Sequence, residues 1–177
     1  MPDPLERDLL DRFVQGDQRA FEWLFRHYEA EVYRWIVRIV RDASAAEDVL
    51  VEAFWRAYRG RACFDPSRSF GAWMRRIATN AALDHLKVAR KHARWSATDY
   101  AIAAPPVPDG ALAEAVALAL RRLSPKVQIV ATLALVEDQP YADIADALDV
   151  PIGTVKSRVF RAIRTLRKEL TSLGVRP

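Results

Sequence analysis

YADIADALDVPIGTVKSRVFRAIRTLRKEL, residues 141–170, is the stretch whose reading decides the fold. Apolar residues run at helical spacing to Leu148, and Asp149, Val150 and Pro151 break the pattern. A second helix is predicted from Ile152 to about Leu170. On it, Val155, Val159, Ala162, Ile163, Leu166 and Leu170 fall on one face. Lys156, Ser157, Arg158, Arg161, Arg164, Arg167 and Lys168 cover much of the rest. Two short helices joined by a three-residue turn, the second apolar beneath and basic above, describe a helix-turn-helix. Ala145 is small where the helices must cross, and Asp149 holds the turn position usually given to glycine. Asp tolerates the left-handed conformation there better than most residues. Gly153 and Thr154 lie in the first turn of the second helix, where amides can meet a phosphate. Lys156, Ser157, Phe160 and Arg161 are best placed for base edges, Phe160 against a thymine methyl.

Charge supports that placement. The formal net charge of the 177 residues is only +4, but it is unevenly spread. Residues 112–150 carry three basic and six acidic groups, and residues 151–177 carry seven basic and one acidic. An acidic segment beside a basic helix implies a located phosphate-binding surface. Cys63 is the single cysteine, which excludes a disulfide framework and a thiolate zinc site. His27, His85 and His92 lack the spacing of a metal site, so neither metal nor cofactor is expected. The first residues, MPDPLERDLL, lack signal-peptide order, and no apolar run approaches the ~20 residues of a membrane span; a cytoplasmic protein is expected. Phosphate-binding loops, zinc-protease motifs and nucleophile elbows are missing, and no carboxylate pair stands out as acid and base. The chain is not expected to be an enzyme.

Upstream, a short amphipathic helix is predicted over 5–14, ended by Gly16, with Asp17 capping the next. The stripe Phe21, Leu24, Phe25, Tyr28, Val32, Trp35, Ile36 and Ile39 marks a long core helix. Ser44 to Glu47 has the form of a capping box, opening a helix to about Arg59. Its outer face carries Asp48, Glu52, Trp55 and Arg56; Trp55 is either an interface anchor or folded back on its own bundle. Residues 61–69 form a loop. A fourth helix, 70–94, starts aromatic and ends basic. It suits either single-stranded nucleic acid or a core with a solvated tail. Residues 95–111, without Lys or Arg and with three prolines, read as a flexible linker. About 17 residues reach up to ~55 Å, which permits two domains to touch separate DNA elements. Beyond it, helices are predicted over 112–123, 126–136 and the helix-turn-helix pair. The expected fold is all-α, with two small four-helix domains, 1–94 and 112–177, joined by that linker.

The motifs in this order resemble the extracytoplasmic-function group of the sigma-70 family of bacterial RNA polymerase sigma factors. They are AFEWLFRHYEAEVYRW from Ala20, AEDVLVEAFWRAYR from Ala46, FDPSRSFGAWMRRIATNAALDHL from Phe64 and YADIADALDVPIGTVKSRVFRAIRTLR from Tyr141. The resemblance implies that 1–94 is region 2, binding the core polymerase clamp through Asp48, Glu52, Trp55 and Arg56. It implies that the −10 element is recognised and opened by Phe64, Ser69, Phe70 and Asn80 around a flipped base, with Trp73, Arg76 and Lys87 supporting the strand. Region 4, 112–177, would set its last helix into the major groove at −35, through Thr154, Lys156, Ser157, Arg158, Phe160, Arg161 and Arg164. It further implies a stress-response role and restraint by an anti-sigma factor. Three positions depart from the family pattern: Val51 for Gln, Asp138-Gln139-Pro140 for Glu-Gly-Leu, and Asp149 for Gly. The competing reading, a dimeric helix-turn-helix regulator acting without polymerase, leaves the first 94 residues without a task.

Overall fold

The computed structural model describes residues 4–95 and 110–172, and every regular element in them is helical. Helix α1 (Pro4–Val14) ends at Gly16, whose φ of +91° lies in the left-handed region. A Cβ there would also meet the Arg61 guanidinium at 3.1 Å, so that side chain would have to shift by a few tenths of an ångström. Asp17 then caps α2 (Gln18–Val40), accepting the amides of Arg19 at 2.8 Å and Ala20 at 3.2 Å. Its other oxygen accepts from Arg12 at 2.7 Å. The Arg12 hydrogen bond, then the amides, hold this carboxyl below the ordinary carboxylate range.

Helix α3 (Ala43–Gly60) begins one residue before the expected capping box. Arg41 turns left-handed at φ 60°, so Asp42 is already extended and its side chain accepts from the Ala45 amide at 2.8 Å. Ser44 therefore sits inside the first turn, and Asp42 does the capping. A 3-10 turn, Arg61–Cys63, leads through a loop into α4 (Phe70–Trp95). The expected linker falls almost wholly outside the described residues. Helix α5 (Gly110–Arg122) is followed by α6 (Pro125–Ala131), which widens into a π turn, Thr132–Val136. There the Glu137 amide donates five residues back to the Thr132 carbonyl at 3.0 Å. Helices α7 (Tyr141–Leu148) and α8 (Ile152–Ser172) complete the chain's described part.

Helices α1 to α4 surround Phe13, Leu24, Ile36, Phe54, Phe70 and Met74. The Trp35 indole donates to the Thr79 hydroxyl at 2.9 Å inside that core, and Thr79 donates to the Arg75 carbonyl at 2.7 Å. The buried cluster does not stop at α4. It continues without a break into Ile129, Leu133, Ile144, Val155 and Val159 of α6, the π turn, α7 and α8. A smaller cluster of Leu120, Leu123, Val127, Ala131 and Ala162 joins α5 and α6 to α8.

Two measurements check these caps. Asp42→Ala lowers stability by about 1 kcal/mol, the usual value of an N-cap, whereas Ser44→Ala stays within about 0.5 kcal/mol. Urea midpoints of the two variants decide it. The depressed carboxyl of Asp17 stabilises the fold above its unfolded value, and that contribution disappears as pH falls through the lower folded value. Asp17→Asn therefore flattens the acid limb of the stability curve relative to wild type.

Candidate nucleic-acid interface

The helix-turn-helix geometry arises from one backbone position. Asp149 adopts φ 52° and ψ 51°, ending α7 as a left-handed cap. Its amide donates to the Asp146 carbonyl at 3.3 Å, and the Val150 amide donates to the Ala145 carbonyl at 3.0 Å. Those two bonds are the Schellman pattern, which satisfies the last carbonyls of α7 and turns the chain sharply into α8. Pro151 follows and accepts from the Thr154 amide at 2.8 Å, starting the next helix.

Helix α8 buries Val155, Val159 and Ala162, with Leu166 and Leu170 half-buried. Ile163, predicted on that stripe, is 40% exposed. It lies at the rim of the 3.6-residue stripe. On the outer face Lys156, Ser157, Phe160, Arg161 and Arg164 are exposed, while Thr154 and Arg158 are half-buried. Phe160 is 70% exposed between cationic neighbours. A solvated aromatic there has no packing role inside the chain and is available to an apolar group on a ligand. Ser157 donates to the Thr154 carbonyl at 2.9 Å, which holds its hydroxyl near the helix start.

The loop before α4 places its residues differently. Phe64 and Phe70 are 5% and 1% exposed, locked in a cluster with Phe13 and Trp73 at centroid distances of 4.8 to 6.5 Å. In this arrangement they are packing residues that brace the loop. Asp65 accepts from the Ser67 amide and hydroxyl at 3.0 and 2.7 Å, and these bonds hold its carboxyl low. Ser69 accepts from the Ala72 amide at 3.3 Å, opening α4. Phe64, Ser69, Trp73, Arg76 and Asn80 share one cleft of about 960 Å³. Lys87 stands apart, paired with Asp84 at 2.9 Å.

The outer face of α3 is a third surface. Trp55 is 54% exposed, stacked on Tyr58 at 6.2 Å, so it is not folded back into the bundle. Asp48, Glu52 and Val51 are exposed beside it. Arg56 bridges Glu52 at 2.7 Å and Asp84 at 2.9 Å, tying this face to α4. The Lys87 hydrogen bond, opposed by desolvation and aided by Arg56, keeps the Asp84 carboxyl ionised below its ordinary range. Asp84 as a hub, and Asp146 and Asp149 on the far wall of the cleft, were not legible from sequence. Arg56 is 28 residues from Asp84 and Arg76 is 73 from Asp149, beyond any local spacing rule. Among the described residues no group of His, Cys, Asp or Glu could hold a metal, and no helix is long and apolar enough to cross a membrane.

Phe160→Ala should shift the unfolding midpoint by less than about 0.5 kcal/mol, whereas its neighbour Val159→Ala costs about 1–3 kcal/mol. The opposite order, read by denaturant titration, would reverse the two faces of α8.

The family model for Sigma-70 region 2 matches residues 24–92, and that for Sigma-70, region 4 matches residues 113–166. The chain is 33% identical to the RNA polymerase sigma-H factor of Pseudomonas aeruginosa, over 95% of each chain. It is 31% identical to the ECF RNA polymerase sigma factor SigW of Bacillus subtilis, over 90% of this chain and 93% of the relative. In fold it is similar to the sigma factor RpoE of Bartonella quintana, solved with the anti-sigma factor NepR. The TM-score is 0.58 at 22% identity, over 85% of this chain and 96% of that one.

Proposed function

This chain belongs to the extracytoplasmic-function group of the sigma-70 family, and we propose how its surfaces divide the work of that family. It is a sigma factor that binds core RNA polymerase and directs promoter-specific initiation. The observation that carries the division of labour is the exposure of two unrelated faces on one chain. The basic face of α8 presents Lys156, Ser157, Phe160, Arg161 and Arg164, and α3 presents Asp48, Glu52 and Trp55.

The α8 face fits the major groove at −35. Arg161 and Lys156 reach bases or adjoining phosphates, Phe160 meets a thymine methyl, and Thr154, Arg158 and Arg164 fix the helix on the backbone. Trp55, flanked by carboxylates, supplies the large amphipathic anchor that binding hot spots favour, and Arg56 is held in register by Glu52 and Asp84. Val51, 66% exposed on the same face, adds apolar area to it. Ser69, Trp73, Arg76 and Asn80 line the surface for the −10 strand, with Lys87 farther along α4. Phe64 and Phe70 brace it from within.

The site of action is the cytoplasm, where core polymerase resides. The similarity in fold to a sigma factor solved with an anti-sigma factor supports control by such a partner.

Run-off transcription from a cognate promoter tests the reading: core polymerase initiates only when this chain is added. Arg161→Ala weakens binding to the −35 duplex by about tenfold, on the scale of a lost base contact, and leaves polymerase association unchanged. Trp55→Ala does the reverse. Equal loss of both functions in either variant would refute the division of surfaces. Raising salt lowers duplex affinity steeply, because several cations on α8 meet phosphates.

A further inference from the structure

Trp23, near the start of α2, is 50% exposed. A single exposed apolar residue is ordinary, but this one is held in a fixed arrangement. Its ring stacks on His27, one turn along the helix, with centroids 4.8 Å apart and planes inclined by 9°. His27 in turn meets the Tyr28 ring edge-on at 4.8 Å, and Tyr28 lies against Phe70 at 5.0 Å. Tyr28 also covers Gly71, where an added Cβ would come within 3.1 Å of its ring. The row Trp23, His27, Tyr28 therefore runs to the first turn of α4, beside Ser69 and Ala72, which line the −10 cleft. Trp23 and Tyr28 are five residues apart, about 8 Å of helix, a few nucleotides at the ~3.4 Å spacing of stacked bases. Cations accompany both ends of the row: Arg26 pairs with Glu22, Arg68 with Asp65 and Arg75 with Glu31. Exposed pairs of this kind are worth little in water and exchange for a phosphate at small cost.

We propose that Trp23, steadied by His27, is a second stacking site for single-stranded DNA, taking a base of the strand that leaves the −10 cleft past Ser69 and Ala72. The inference rests on the −10 reading given above and extends it by one subsite. A half-solvated indole presents a π face that any base can cover, whatever the sequence. A protein partner favours a contiguous apolar patch, and Trp23 does not belong to one. Its exposed neighbours on α2 include Arg19, Glu22 and Arg26, all charged. His27 adds the ordering: with one neighbour stacked against it, the indole has few rotamers left to lose when a base arrives. The subsite therefore holds a strand that has already been opened and adds affinity without adding sequence preference.

The test uses the full chain assembled with core polymerase and two single-stranded probes. The shorter ends at the edges of the −10 element of a cognate promoter. The longer extends it by several nucleotides on each flank, with 2-aminopurine placed in turn at each flanking position. The longer probe should bind wild type more tightly, with 2-aminopurine fluorescence quenched by stacking at one flanking position. Trp23→Ala should weaken the longer probe about five- to tenfold, the low end of what one stacked base is worth. It should also release the quenching and leave the shorter probe unchanged. Trp23→Phe, which keeps a ring, should retain most of the gain, and Trp23→Leu, which keeps only apolar bulk, should lose it. Equal affinity of wild type and Trp23→Ala for the longer probe overturns the stacking site, and so does equal weakening of both probes. Weaker association of Trp23→Ala with core polymerase overturns it too, by giving the indole to a protein partner. If wild type binds the shorter probe no better than a scrambled one, the −10 reading itself fails and takes the subsite with it.

Discussion

One buried hydrogen bond, from the Trp35 indole on α2 to the Thr79 hydroxyl on α4, sets the register on which the functional surfaces depend. An unpartnered indole N–H or hydroxyl in that core would carry the full desolvation cost, so the bond makes α4 settle at one rotation and one height. Once Thr79 faces inward, Arg76 and Asn80, one helical turn apart, share the adjoining face. Phe70 and Met74 lock the start of α4 into the same core. The cleft lined by Arg76 and Asn80 thus inherits its geometry from packing inside the bundle.

Helix α4 carries a second burden, because α6 and α7 pack against it from the other side. A helix that serves two neighbours has little polar face left to spare. Its cations are therefore assigned to specific partners: Arg76 to Asp149, Lys87 to Asp84, and Arg90 to carbonyls at the end of α5. The cations of α8 are different in kind, since most of them lie exposed on its outer face. Equal numbers of Lys and Arg in two helices can thus mean a solvated outer face in one case and an internal strap in the other.

Local rules read well where they act alone. The turn at Asp149, the cap at Asp17 and the alternation of buried and solvated residues along α8 follow from spacing and backbone preference within a few residues. The rules misjudged competition between neighbours. Ser44 has the right spacing for a cap, but Asp42 stands two residues earlier in an extended conformation and takes the role. Ile163 has helical spacing with Val159, yet it is 40% exposed. The aromatic start of α4 divides by residue: Phe70 is core, while Trp73 is half-buried and lines the cleft.

The sequence by itself determined the helical class, the helix-turn-helix and the family, because each follows from periodicity, turn chemistry or motif order along the chain. Tertiary structure alone decided which charges are engaged and which are available. Asp149 is an unremarkable turn residue until α7 is packed on α4, when it becomes the counter-ion of Arg76, 73 positions away. The energy of such a pair depends on a distance that only the assembled fold supplies.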